Sequence, residues 1–305
     1  MAATDHSLSN PKRRRFHWSW PVIALVAILA GLSFAWHWDD RGLLWLREQT
    51  TSIAEQGTSI WLPDYHVVID GKPLVGLEKD EASDLSYDPS SKTLYAVMGK
   101  NAFLTQLSLT GEVLRKIPLV GWSNPEGLAV LGNGLIAIVD ERQHLMTMVT
   151  VTPDTKTLNI ADFPKYDLGP SADQNKAFEG VTWDPHNQRL LLGEERPPAL
   201  FSWHSDGSAM LKGDKLKLVN DNLIMRNLSA LDIDEKTGHL LVLSAESHLL
   251  LELDEKGNEV SFMALMQGLN GLEHTIPRAE GVAMDDKGTI YMVSEPNLFY
   301  SFMKK

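Results

Sequence analysis

The segment AEGVAMDDKGTIYMVSE, residues 279–295, is the best guide to the architecture of the chain, because related segments occur four more times. In each copy an acidic or small polar residue precedes a β-rich apolar run, a turn follows, and a second apolar run ends at a charged residue. This order predicts a β-hairpin in every copy. The other four copies are SDLSYDPSSKTLYAVMGK (83–100), PEGLAVLGNGLIAIVDE (125–141), FEGVTWDPHNQRLLLGEE (178–195) and LSALDIDEKTGHLLVLSAE (228–246).

The spacing of the copies predicts a β-propeller. The separations are 42, 53, 50 and 51 residues between successive equivalent positions, which are Asp84, Glu126, Glu179, Ser229 and Glu280. Periods of about 40 to 50 residues with four strands per unit are typical of propeller blades. We therefore expect an all-β, five-bladed β-propeller over residues 63–305, with six blades as the alternative if residues 150–177 form an irregular blade. The strand YHVVIDGKPL from Tyr65 is expected to pair with LFYSF, residues 298–302, and close the ring.

The N-terminal segment predicts a membrane anchor. A basic cluster at residues 12–15 precedes an uncharged apolar run at residues 20–36, which tryptophans flank on both sides. We predict a cytoplasmic basic tail at 1–17, a single transmembrane signal-anchor helix at 18–38 and a juxtamembrane stalk at 39–62. The positive-inside rule then places the propeller in the periplasm or outside the cell, on the far side of the inner (plasma) membrane. A cleaved signal peptide, with Ser33 and Ala35 near the cleavage site, is the alternative.

Composition excludes several classes of function. The chain of 305 residues has a formal net charge of −12, which argues against nucleic acid as a partner. It contains no cysteine, so disulfides, zinc–thiolate sites and thiol catalysis are excluded. An acidic protein of this kind suits cations or neutral ligands better.

The repeat should concentrate carboxylates at one mouth of the propeller tunnel. The start of each inner strand and the end of the next strand lie at the same mouth, because the two strands are antiparallel. Asp84 is a shorter acidic equivalent at the strand start of the first copy. Asp140 and Glu194 lie beside two of the glutamates at the strand ends, Glu141 and Glu195. The candidate metal ligands are Glu126, Glu179 and Glu280 at the strand starts, and Glu141, Glu195, Glu246 and Glu295 at the strand ends.

Calcium is the cation that these residues favour. Converging carboxylates repel one another unless a proton or a cation neutralises them, and hard oxygen ligands without cysteine suit calcium better than zinc or copper. The alternative is structural: each Glu-Gly pair caps the tunnel mouth, with the glutamate accepting backbone N–H bonds and the glycine allowing close packing.

At these residues the chain resembles the bacterial SdiA-regulated family. The resemblance covers residues 65–305 and is carried by AEGVAMDDKGTIYMVSEPNLFY from Ala279, FEGVTWD from Phe178, VDER from Val139 and the YHVVIDGK strand. It implies a membrane segment followed by a five-bladed propeller with a bound calcium ion, distantly similar to NHL-repeat propellers. The fourth copy departs from the Glu-Gly pattern, since Ser229 and Ala230 occupy those positions.

Two functions remain open at this point. The first is a binding or scaffold module that holds a small-molecule or protein ligand at the membrane. The second is a calcium-dependent hydrolase of the lactonase, esterase or phosphoesterase type, with His144 or His274 as a proton-transfer residue. An enzyme needs an open metal position, a nearby base and a pocket.

Overall fold

The computed structural model describes residues 19–35, 38–169, 177–218 and 223–305, and the chain divides into two compact units, Met1–Asp39 and Asp40–Lys305. Helix α1 spans Ser19–Ala35, which is 17 residues. Within the described residues, no helix combines the length and the apolar character that crossing a membrane requires. The predicted basic tail, together with Trp18 and Trp36, lies outside those residues.

Two short helices follow α1 and precede the first strand. Helix α2 spans Trp38–Glu48 and α3 spans Ile53–Thr58. A capping box begins α3, because Ser52 and Glu55 exchange hydrogen bonds there. Strand β1 then covers Tyr65–Pro73, after a single 3₁₀ turn at Leu62–Asp64.

Five sheets form the propeller, as the sequence predicted. The first two blades contain β2 (Ala82–Asp88), β3 (Thr93–Met98), β4 (Phe103–Leu107) and β5 (Val113–Val120), then β6 (Pro125–Gly132), β7 (Leu135–Asp140) and β8 (Leu145–Thr150). Two short strands follow, β9 (Leu158–Asn159) and β10 (Lys165–Asp167). The third blade contains β11 (Phe178–Asp184), β12 (Arg189–Glu194), β13 (Ala199–Ser205) and β14 (Leu211–Lys217). The last two contain β15 (Ala230–Ile233), β16 (Leu240–Ser244), β17 (Leu249–Leu253) and β18 (Glu259–Ala264), then β19 (Ala279–Met284), β20 (Ile290–Ser294) and β21 (Leu298–Lys304).

The first strand of each repeat is the innermost. Strands β2, β6, β11, β15 and β19 each contact the corresponding strand of the next blade, and the contact of β19 with β2 closes the ring. Apolar side chains fill the spaces between blades: Val97 and Leu104 of the first blade, for example, share one buried cluster with Leu128 and Ile138 of the second. Burial between sheets explains why the inner strands are apolar in sequence.

The segment at residues 150–177 forms no sixth blade in its described part. Strand β10 pairs antiparallel with β8 and supplies the outer strand of the second blade. Strand β9 pairs in parallel with β5 and joins the edge of the first blade. Residues 170–176 lie outside the described part.

The ring closes as predicted. Strand β1 pairs antiparallel with β21, from Tyr65 opposite Lys304 to Pro73 opposite Leu298. The fifth blade is therefore built from both ends of the propeller sequence, and the pairing has two register irregularities.

The segment predicted as a stalk packs on the propeller from Asp40 onward. Leu44 of α2 is 2% exposed and lies in the apolar cluster around the fourth blade. The Glu48 carboxylate accepts the Phe262 N–H at 2.7 Å.

A second connection joins this segment to the same blade through Glu252, a fully buried carboxylate in β17. Glu252 accepts the backbone N–H groups of Ile60 at 2.8 Å and Trp61 at 3.0 Å. It also bonds the Ser261 hydroxyl at 2.5 Å and the His239 Nδ1 at 2.6 Å. One side chain thus fixes the entry of the chain into the propeller.

Candidate metal centre

The hairpins bring the predicted glutamates to one tunnel mouth. Glu126, Glu179 and Glu280 are each the second residue of an inner strand. The residues that precede them pair with the end of the neighbouring strand: Pro125 with Asp140, and Phe178 with Glu194. The residues immediately after those strand ends therefore lie at the same mouth.

Glycine after each glutamate lets the inner strands approach closely. A Cβ atom on Gly127 would lie 2.2 Å from the Glu179 carbonyl oxygen, and one on Gly281 would lie 2.8 Å from the Asp84 backbone. Both distances are shorter than any tolerable contact with backbone. The Glu-Gly pairs therefore have a packing role, whatever the glutamates bind.

Three of the predicted ligands form a compact cluster. Glu141, Glu179 and Glu195 each place one carboxylate oxygen within 4.8 Å of the others. Two ligands of one calcium ion can be separated by up to twice the Ca–O distance of about 2.3–2.6 Å. These three carboxylate oxygens are therefore close enough together to be ligands of one cation.

Local hydrogen bonds position two of these side chains. The N–H of Glu141 donates to the Asn124 carbonyl at 3.0 Å, and the Asn124 side-chain amide donates to the Glu141 carboxylate at 2.9 Å. The N–H of Glu195 donates to the Ala177 carbonyl at 2.9 Å. Both glutamates are therefore held at the ends of their hairpins.

Glu179 is the least compensated member of the cluster. Neighbouring carboxylates dominate its electrostatic surroundings. Burial raises its pKa well above the ordinary value of 4.5, and the charges of Glu195, Glu280, Glu126 and Glu141 raise it further. A desolvated carboxylate among like charges is costly unless a proton or cation joins it.

Glu126 and Glu280 extend the same acidic region. Burial raises the pKa of Glu126 to about 8, although hydrogen bonds from Ser83 and Asn124 oppose the shift. Burial raises the pKa of Glu280 to about 7, against the opposing charge of Arg278, whose Nε lies 3.1 Å from a Glu280 oxygen. Five glutamates thus share one electrostatic environment.

The other two predicted ligands are each paired with an arginine at the rim. Glu246 is exposed and forms an ion pair with Arg196, whose Nε also lies 3.4 Å from a carboxylate oxygen of Glu195. Glu295 accepts a hydrogen bond from Arg278 at 3.0 Å. Neither belongs to the three-carboxylate cluster in the described part of the chain.

Two aspartates near the predicted set have structural roles. Asp84 is fully buried in the tunnel wall and accepts the N–H groups of Leu85 and Leu128, both at 2.7 Å, so it links the first two blades. Asp140 accepts the N–H groups of Ser123 at 2.6 Å and Gln143 at 2.9 Å, and so caps the turns beside the mouth. For these two residues the cap interpretation is the better one.

A cavity of about 310 Å³ adjoins the cluster. Neither His144 nor His274, the histidines that the sequence suggested, lines it. His248 does, and burial lowers its pKa. Sequence reasoning missed His248 because it follows the fourth repeat, which lacks the Glu-Gly pair. The lining residues are Glu179, Glu195, Asn227, Ala245, Glu246, His248, Arg278 and Glu280.

Comparison with known proteins agrees with this architecture. The family model described as SdiA-regulated matches residues 57–303. A chain from the solved nidogen/laminin complex is similar with a TM-score of 0.50 and 17% identity, over 75% of this chain and 84% of that one. A selenomethionine-substituted virginiamycin B lyase from Staphylococcus aureus is similar with a TM-score of 0.43 and 10% identity, over 78% of this chain and 73% of that one. At 17% identity the first similarity shows a related fold and nothing about function. The second similarity, with a TM-score below 0.5, supports no conclusion.

Proposed function

Because the chain belongs to the SdiA-regulated family, we propose that it is a calcium-binding propeller that holds a small-molecule or protein ligand at its glutamate mouth. The observation that carries this proposal is the cluster of Glu141, Glu179 and Glu195. Calcium accepts six to eight oxygen ligands in flexible geometry, which suits carboxylates from separate blades. Glu126 and Glu280 are two further carboxyl groups beside the cluster, and a cation nearby favours their ionised form.

Calorimetric titration of the full chain in detergent tests the calcium site. We expect one ion to bind with a Kd between about 10⁻⁷ and 10⁻³ M, the range of sensor and extracellular sites. Magnesium should bind more weakly, because it requires a stricter octahedral geometry. Absence of calcium binding at millimolar concentration would leave the glutamates as structural groups and refute the proposal.

The pH dependence of stability provides an independent check. The pKa values of Glu126 and Glu280, about 8 and about 7, exceed the ordinary value of 4.5. Between about pH 4.5 and pH 8, the folded calcium-free protein therefore binds more protons than the unfolded chain. Stability should therefore be highest below about pH 4.5 for these groups and should fall as pH rises toward 8. We expect a loss of at least about 1.4 kcal/mol, the equivalent of one pKa unit.

Urea denaturation at several pH values, in chelator and in calcium, measures this effect. Calcium should reduce the loss, because the ion replaces the displaced protons. The difference between the stability–pH profiles in chelator and in calcium gives the contribution of the glutamates at the mouth, because other titrating groups contribute equally to both profiles. Identical profiles with and without calcium would contradict the prediction.

We also propose that the N-terminal region anchors the propeller to a membrane. Residues 20–36 carry no charge and follow a basic cluster, and the positive-inside rule places that cluster in the cytoplasm. Membrane fractions washed with alkaline carbonate should retain the full chain and release a variant without residues 1–38. Equal release of both would refute the anchor.

A second candidate function is calcium-dependent hydrolysis in the same mouth. His248 favours it, because a half-buried imidazole with a lowered pKa lines the cavity beside the cluster. Lactones, esters and phosphoesters screened with and without calcium test this candidate. It requires calcium-dependent turnover that His248→Gln abolishes, and turnover that survives this change would reject His248 as the base.

A further inference from the structure

The opposite mouth of the tunnel contains a second cavity, of about 260 Å³. All five inner strands contribute their later residues or the turns after them, whereas the glutamates lie at the strand starts. The volume lies just below the range of about 300–1,000 Å³ for sites that take drug-sized ligands. The cavity therefore suits a small molecule, and it is separate from the glutamate cluster.

Aromatic, aliphatic and proline side chains form about half of the wall of this cavity. Tyr87 and Trp183 are both half-buried and occupy equivalent positions in the first and third blades, directly before an Asp-Pro turn. Pro89 and Pro185 occupy equivalent turns beside them. Aromatic rings with an accessible face bind apolar groups and cations.

The charge of the lining is strongly unbalanced, with five carboxylates and a single lysine, Lys236. Two of the carboxylates are occupied by their own turns. Asp234 accepts the hydroxyl and N–H of Thr237 at 2.7 and 3.1 Å, and Asp285 accepts the N–H of Thr289 at 2.8 Å. The carboxylate oxygens of Asp234 and Asp285 therefore have few free lone pairs with which to bind a metal ion.

The remaining carboxylates keep acceptor capacity. Asp232 is 8% exposed; it accepts the Met284 N–H at 2.7 Å and the Thr182 hydroxyl at a long 3.4 Å, and the Ile233 N–H also bonds to it. Asp286 is exposed, and the Tyr87 hydroxyl lies 3.3 Å from its oxygen. Glu235 is exposed at the rim.

We propose that this mouth binds a small organic ammonium compound, whose cationic group lies among the carboxylates of Asp232 and Asp286 and whose apolar body lies against Tyr87 and Trp183. Aromatic walls favour an organic cation over a bare metal ion, which would gain nothing from apolar surface. Binding also lowers the cost of burying the Asp232 charge, since burial raises the pKa of this residue to about 8 in the free protein.

Three ligands of matched size test this proposal with the full chain: 2-phenylethylammonium, neutral 2-phenylethanol and anionic phenylacetate. Calorimetry should give the ammonium a Kd at least tenfold lower than that of the alcohol, and no binding of phenylacetate. Equal binding of the alcohol and the ammonium would overturn the proposal. So would displacement of the ammonium by millimolar calcium, which would mark an inorganic cation site.

Conservative variants locate the site. Asp286→Asn and Asp232→Asn should each raise the Kd of the ammonium at least threefold, and the asparagine at 232 can still accept the Met284 N–H. Trp183→Leu should weaken the ammonium and the alcohol alike. Asp154→Asn, which removes an exposed charge elsewhere, is the control and should change nothing. The proposal fails if neither cavity variant alters the affinity.

Discussion

Replacing Glu179 with glutamine should raise the Kd for calcium at least 100-fold. Groups outside the first coordination sphere of a metal already cost about 10- to 100-fold when removed, and Glu179 is a direct member of the cluster with Glu141 and Glu195. Glutamine keeps the size of the side chain and removes the charge. Calorimetric titration of both proteins measures the change.

The stability of the same variant should change in opposite directions with and without calcium. Without calcium, Glu179→Gln should be at least as stable as the wild type, because it removes a buried charge that four neighbouring glutamates oppose. With calcium at 100 times its Kd, the wild type gains about 2.7 kcal/mol that the variant lacks. If Glu179 were only a structural cap, the variant would be less stable under both conditions.

Glu246→Gln is the matched control for this experiment. Glu246 was one of the seven predicted ligands, but it is exposed and paired with Arg196. An exposed ion pair contributes about 0–1 kcal/mol, so the Kd for calcium should change less than about tenfold. A loss as large as that of Glu179→Gln would show that Glu246 reaches the ion.

Replacing Glu252 with alanine should lower the free energy of unfolding by about 3–5 kcal/mol, the usual cost of breaking a buried charged pair. The change removes the acceptor for Ile60, Trp61, His239 and Ser261 at once. Each buried donor left without a partner costs about 1–3 kcal/mol. Urea denaturation measures the loss.

The structural origin of that loss can be localised by limited proteolysis. Residues 49–61 should become cleavable in Glu252→Ala while the blades remain protected, because the chain before β1 loses its connection to the fourth blade. Glu255→Ala, an exposed change three residues away, should stay within about 0.5 kcal/mol of the wild type. Similar behaviour of the two variants would contradict the role assigned to Glu252.

The fold could be predicted because the repeat acts through local rules. The turns at Asn133-Gly134 and Lys287-Gly288 stand between apolar runs of fixed length, so the hairpins and their order follow from sequence. The Glu-Gly pairs mark the inner strands, because a Cβ at Gly127 or Gly281 would overlap the backbone of the next blade. The repeat also predicted which glutamates share one mouth.

The membership of the cluster could not be predicted from the repeat alone. It depends on how far each side chain reaches: Arg196 forms ion pairs with both Glu195 and Glu246, yet only Glu195 lies in the cluster. The expected equivalence of Asp84 with the glutamates was wrong: Asp84 pairs with Val97 as Gly127 pairs with Val139, so it occupies the glycine position of the repeat and bonds to the tunnel wall. Glu252 had a signal in the sequence, since it is the single charge in the strand LLLEL, but two of its partners, Ile60 and Trp61, lie about 190 residues away.

The pairing of β1 with β21 also bears on how the protein is made. Strand β1 leaves the ribosome long before its partner, because Tyr65 pairs with Lys304, 239 positions later. At about 5–20 residues per second, its hydrogen-bonding edge waits roughly 12 to 48 s for the last strand. Asp70, Lys72 and Pro73 make this edge a poor template for pairing with other chains. Translation that stops before Leu298 leaves the ring open, so closure distinguishes finished chains from interrupted ones during biosynthesis.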